Sequence, residues 1–273
     1  MRPLLILFLA SCLLQPASGA ERPNILFFLV DDLGWADLAC YGSTFHETPH
    51  LDQLARDGVR FTDAYCAASI CSPTRASLMT GKHPVRVDIT DWIPGQSGPG
   101  KKLVTPQDMD HLKLEEFTIA EALKEGGYQT FYTGKWHLGG KGFGPDKQGF
   151  DVYYDPHRNS SKGSPGKGRT TGRKHGTIDI TRETRKFITA NKDKPFFAYV
   201  AYYDVHTPII AEKRYLEHYT KKAAKLGPSP APIKEHDGLS RPRQDNAALA
   251  TMVQAVDDSV GELLAHLGEL GIA

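Results

Sequence analysis

Hydrophobic positions along this chain fall into two periods that take turns. Residues 24–30, unbroken in apolar character from Ile25 on, stop at Asp31-Asp32-Leu33-Gly34. Such a run predicts a strand buried on both faces, in the middle of a parallel sheet. Residues 128–133 and 196–203 predict two further strands, and 59–65 alternates enough to predict another. Between them the spacing becomes helical. Residues 48–58 predict a short amphipathic helix with Leu51, Leu54 and Ala55 as its core stripe and Gly58 as its stop. Residues 118–127 predict a helix capped by Thr118 and ended by Gly126-Gly127. Residues 178–190 predict another. Residues 245–270 predict a long one, with Met252, Val253, Val256, Val260, Leu263, Leu264 and Leu267 on its apolar face and Asp257 and Asp258 on its solvated face. Strands that alternate with helices imply an α/β fold, a largely parallel central sheet flanked by helices.

Composition narrows the class. The chain has 273 residues, 40% hydrophobic and 24% charged, enough apolar content for a sizeable core. A formal net charge of +1 gives no global signal for a nucleic-acid partner. No apolar span long enough for a membrane helix follows the N-terminus. Residues 1–20 read as an export signal: Arg2, an apolar run from Leu4 to Leu14, and the small residues Ser18-Gly19-Ala20. The expected location is therefore periplasmic or secreted. Leu9-Ala10-Ser11-Cys12 offers an alternative, a lipid anchor on Cys12. Beyond Cys12 the cysteines are Cys40, Cys66 and Cys71. An odd count in an exported protein leaves at least one with another task, and Cys40 and Cys66 are free to pair or to stay reduced.

Candidate chemistry clusters at the predicted strand ends. Asp31 and Asp32 stand where open α/β sheets place ligands. Adjacent carboxylates call for a neutralising cation, and a hard divalent ion with oxygen ligands suits them; a turn or helix cap is the plainer use. In residues 71–81, Pro73 suits a first helical turn and Gly81 a C-terminal stop. Cys71 then sits at a helix N-terminus, which favours an anion, with Arg75 one turn on. A buried structural cysteine is the alternative. Lys135 and His137, two apart on extended backbone, would point to one side to bind an anion and move a proton. His206 follows the 196–203 strand. Residues 88–110 read as a surface loop. Residues 157–175 hold six Lys and Arg and no acidic residue. They read as a solvated loop or as a basic rim for a polyanion such as a sulfated polysaccharide. Asn159-Ser160-Ser161 fits a glycosylation acceptor.

Taken together these motifs resemble the type I sulfatases of the alkaline-phosphatase-like superfamily. The resemblance rests on the strand ending Asp31-Asp32-Leu33-Gly34, on Cys71-Ser72-Pro73-Thr74-Arg75 with Ala76-Ser77-Leu78 and Thr80-Gly81, on Gly134-Lys135-Trp136-His137-Leu138-Gly139, and on His206 two residues before Pro208. It implies a hydrolase of sulfate esters. Cys71, oxidised by a separate maturation enzyme to formylglycine, would be hydrated and attack sulfur. Asp31, Asp32 and residue 71 would ligate calcium, with magnesium the lesser alternative. Arg75 and Lys135 would stabilise charge, His137 would act as base, and His206 would assist the leaving alcohol. After the 1–20 signal, residues 21–273 would form the N-terminal part of the catalytic domain, since an Asp-Asn-Gly metal motif and a leaving-group lysine that the family places further on are not found. Two rivals remain open: a phosphonate monoester or phosphodiester hydrolase of the same superfamily, and a catalytically incomplete anion-binding fragment.

Overall fold

The structure, a computed structural model, describes residues 22–95, 106–157, 176–236 and 238–273. The export signal with Cys12, part of the 88–110 loop, nearly all of the basic 157–175 segment and the glycosylation acceptor lie outside them. In chain order the elements are β1 (Ile25–Val30), α1 (Pro49–Asp57), α2 (Cys71–Thr80), α3 (Ile119–Glu125), β2 (Gln129–Gly134), β3 (Val152–Tyr154), α4 (Thr177–Asn191), β4 (Phe196–Tyr202), α5 (Lys213–Lys225), a small hairpin of β5 (Ile233–Glu235) and β6 (Gly238–Ser240), and α6 (Ala247–Glu269). β1, β4, β2 and β3 form one parallel sheet in that order. The α/β reading from the hydrophobic pattern therefore holds.

Helices cover both faces of this sheet. β4 is the strand buried throughout, and its side chains divide by parity. Phe197, Tyr199 and Ala201 pack with Met79 of α2, Ala120 of α3 and Tyr132. Phe196, Ala198, Val200 and Tyr202 pack against Phe187 and Ile188 of α4 and Val256, Val260 and Leu263 of α6. Each aromatic or aliphatic side chain fully buried here contributes about 1.5–3 kcal/mol.

Four expectations change. β1 is an edge strand with every residue half-buried, because β4 takes the central place between β1 and β2. Residues 59–65 form no strand: they pair with no strand among the described residues, and Val59 and Tyr65 are 79% and 89% exposed. In α1 only Leu51 of the stripe joins the core, while Leu54 is exposed. The acidic pair of α6 is not a solvated face either. Asp257 is fully buried, and its carboxylate accepts from the His50 and Leu51 amides at 3.2 and 2.8 Å, capping α1. Asp258 accepts from the Tyr215 hydroxyl.

Candidate active site

Register decides which residues meet. Val30 lies beside Tyr202 and Gly134 beside Ala201. The chain therefore leaves β1, β2 and β4 from one edge of the sheet, and Asp31, Lys135 and His206 all follow there. The β1–β4 ladder runs one step further. The Asp31 amide donates to the Asp204 carbonyl at 2.9 Å, and the Val205 amide donates to the Asp31 carbonyl at 2.7 Å.

Asp31 is the centre of the cluster. It is 5% exposed. Arg75 Nη2 donates to Oδ1 at 3.0 Å, and Lys135 Nζ pairs with Oδ2. Burial alone would raise its pKa; the charges of Arg75 and Lys135 overcome that and hold the carboxyl below the usual range. The expected neutralisation of the Asp31-Asp32 pair is thus supplied, for Asp31, by two side chains of the chain itself. Asp32 has a left-handed backbone, φ +61°, which aspartate tolerates, and its side chain is 58% exposed.

α2 carries the second group. Ile70 is its extended N-cap, Cys71 its first residue and Pro73 lies in its first turn, as the sequence predicts. Gly81, at φ +66°, ends it. Arg75 is buried one turn in from Cys71, and its Nη1 donates to the Lys135 carbonyl at 2.6 Å. Its Nε is buried without a partner among the described residues. A cavity of about 480 Å³ opens here, with Asp31, Asp32, Cys66, Cys71 and Arg75 on its wall. Cys40, Cys66 and Cys71 are all free thiols.

Gly134 and Lys135 turn the chain sharply. Gly134 has φ +93°, and a Cβ there would stand 1.7 Å from the Ala201 carbonyl oxygen, so only glycine fits. Lys135 then points into the Asp31 cluster. His137, at φ +55°, points elsewhere: its Nε2 lies 2.6 Å from the Ile93 carbonyl oxygen. The two side chains take different partners, Asp31 and the Ile93 carbonyl, on a backbone that is not the extended one that the spacing argument assumed. Burial, then the nearby Lys135 and Arg75 charges, lower the His137 pKa. His206 is part-exposed, with Nδ1 2.6 Å from the Thr207 carbonyl oxygen and Nε2 3.7 Å from Asp32 Oδ2. Neither histidine nor Lys135 lies on the cavity wall with Cys71.

Sequence reasoning missed Tyr132, Ser72 and Ile93. The buried Tyr132 hydroxyl donates to the Lys135 carbonyl. Ser72 bonds both the 93 loop and residue 137. Tyr132 was visible only as a strand residue, and a backbone carbonyl at residue 93 leaves no mark in sequence.

Known proteins resemble this chain. A protein-family model described as Sulfatase matches residues 23–273. N-acetylgalactosamine-6-sulfatase of Mus musculus is 32% identical over 297 residues, covering 98% of this chain and 51% of the relative. Arylsulfatase A of Homo sapiens is 31% identical over 300 residues, covering 96% and 52%. The chain thus spans about half the length of these curated relatives. The crystal structure of Ps i-CgsB in complex with k-i-k-neocarrahexaose superposes with a TM-score of 0.71 at 28% identity, covering 92% of this chain and 56% of that one. The match to the family model over nearly the whole chain, on top of the Asp31, Cys71-to-Gly81 and Lys135 constellation, establishes that this chain belongs to the sulfatase family.

Proposed function

We propose that the protein hydrolyses sulfate esters, with residue 71 as the attacking group after oxidation of Cys71 to formylglycine. The observation that carries this reading is the cavity wall itself. It places a helix-start Cys71 beside Arg75, whose buried Nε has no partner among the described residues, and beside the Asp31 carboxylate. The converted residue supplies an oxygen nucleophile toward sulfur.

The donor set also fits a hard divalent cation. Asp31 and Asp32 share the wall, and each Asp31 oxygen accepts one cationic donor, leaving a further lone pair. Asp31, Asp32 and residue 71 would hold calcium. Residue 71 would do so as an oxygen donor, since a thiol is a soft ligand. When bound, the ion polarises sulfate oxygens.

The chain's own groups take the remaining roles. Arg75 and Lys135 are fixed cations for the sulfate and the charge that develops on it. His137, kept neutral by burial, presents an unpartnered Nδ1 to accept a proton. His206 stands exposed beside Asp32 and delivers a proton to the departing alcohol. Sulfated polysaccharide is the proposed substrate class, since one solved relative is described in complex with neocarrahexaose. Export by residues 1–20, action of a maturation enzyme on Cys71, and residues 21–273 as the N-terminal part of the catalytic domain complete the proposal.

Parallel assays on aryl sulfates, aryl phosphates and phosphonate monoesters test it, with mass spectrometry of residue 71 on the same sample. Preferred release of sulfate by converted protein is expected. Preference for phosphonate, or equal turnover by unconverted Cys71, would overturn it.

A further inference from the structure

Ser72 stands between Cys71 and Pro73 and is fully buried. Its hydroxyl donates to the His137 carbonyl at 2.9 Å and accepts from the Ile93 amide at 3.0 Å. The His137 ring closes the circuit, since its Nε2 lies 2.6 Å from the Ile93 carbonyl oxygen. A carbonyl only accepts, so Nε2 carries the proton. In a neutral imidazole Nδ1 then keeps a bare lone pair. That Nδ1 is buried and has no partner among the described residues.

Three segments distant in sequence thus meet in one ring of hydrogen bonds. The ring constrains an uncommon backbone. His137 sits at φ +55°, which costs a non-glycine residue roughly 1–2 kcal/mol, and the Ser72 hydroxyl holds its carbonyl. The Ile93 amide and carbonyl are held together, the first by Ser72 and the second by the His137 ring. Alanine at residue 72 would leave the Ile93 amide and the His137 carbonyl without this shared partner in a buried place.

We propose that Ser72 is a positioning residue for His137. Its hydroxyl fixes residues 93 and 137 so that the imidazole stands as the Nε2–H tautomer with Nδ1 bare. The use of Nδ1 as a base rests on the function proposed above; the tautomer and its dependence on Ser72 do not.

The test reads the ring nitrogens of His137 by NMR in the 15N-labelled full chain, with Cys71 unconverted. In the native chain Nε2 should be protonated and Nδ1 bare at neutral pH. Ser72→Ala should give mixed tautomers and Nε2–H exchange about tenfold faster, the factor that loss of one hydrogen bond implies. Ser72→Thr, which keeps the hydroxyl, should restore the native signature. A folded Ser72→Ala chain with unchanged tautomer and exchange would overturn the proposal, as would a native chain protonated on Nδ1. Hydrogen exchange of the Ile93 amide decides the matter without any variant: protection is expected, and exchange at the rate of a surface amide overturns it. Sulfate-ester turnover is measured separately. Its absence beside the expected tautomer would sink the proposed function and leave the role of Ser72 standing.

Discussion

Asp31 shows how one buried carboxylate can organise its neighbours. Arg75 and Lys135 both reach it in a space that is nearly closed to water. Removing one partner strands a buried charge, so Arg75→Ala should destabilise the chain by about 3 kcal/mol in denaturant unfolding. Adding Asp31→Asn to that variant should recover part of the loss; a double variant worse than the sum of its parts would contradict this account. Histidines set a different dependence. His46 and His137 both have pKa values lowered from 6.5, in each case first by burial. The unfolded chain therefore takes up protons near pH 6.5 while the folded chain does not. Their contribution to stability is full above pH 6.5 and is lost as pH falls through that value toward the folded pKa. Unfolding midpoints at pH 7.5 and 5.5 should show this loss, and His46→Gln and His137→Gln should each shrink it. Cys71, Arg75 and Asp31, which line one cavity, stand out in sequence because each belongs to a local motif. Ser72 was not, because its partners lie 21 and 65 residues away.

Elements hold these residues through contacts that propensity does not reveal. Thr118 caps α3 in a capping box with Glu121, as the local sequence predicts, since that cap is made within one turn. The cap of α1 comes instead from Asp257, more than 200 residues on, so α6 looked like a helix with an acidic solvent face. Asp257→Ala should cost about 1 kcal/mol, the usual worth of a cap, whereas Asp257→Asn keeps one acceptor but turns an NH2 donor toward the other amide and should recover only part of that loss. Equal losses in the two variants would argue that charge rather than capping matters there. Gly134 is the tightest point of the sheet. Gly134→Ala would drive a Cβ into the Ala201 carbonyl, pushing β2 from β4, and should cost at least about 3 kcal/mol. Circular dichroism and thermal melting would register it; a native-like melt would mean that the strands can separate without loss. The same glycine explains the failed expectation for Lys135 and His137. Period-two reasoning applies to extended backbone, and the positive φ at residues 134 and 137 ends that period.

For the molecule as a whole, the parallel register brings the ends of β1, β2 and β4 to one edge, and that edge gathers the candidate site. If Asp31, Asp32 and residue 71 hold a cation, calcium binds the folded chain alone and stabilises it by mass action. At a hundredfold excess over its Kd the gain is about 2.7 kcal/mol, or roughly 5–10 °C in the melting midpoint. Asp32→Asn should remove most of that shift. A midpoint unmoved by millimolar calcium in converted protein would count against the proposed ligands. What the sequence by itself determined was the α/β class, three of the four strands of the parallel sheet and five of the six helices among the described residues. Hydrophobic period, proline and glycine punctuation and short motifs are all local properties, readable within a turn or a strand. Only the tertiary structure decided that β4 rather than β1 is the central strand, that Arg75 and Lys135 share Asp31, and that His137 turns away to Ile93. Strand order, register and the direction of a side chain after a turn depend on which distant segments pack together, and no window of sequence contains both partners.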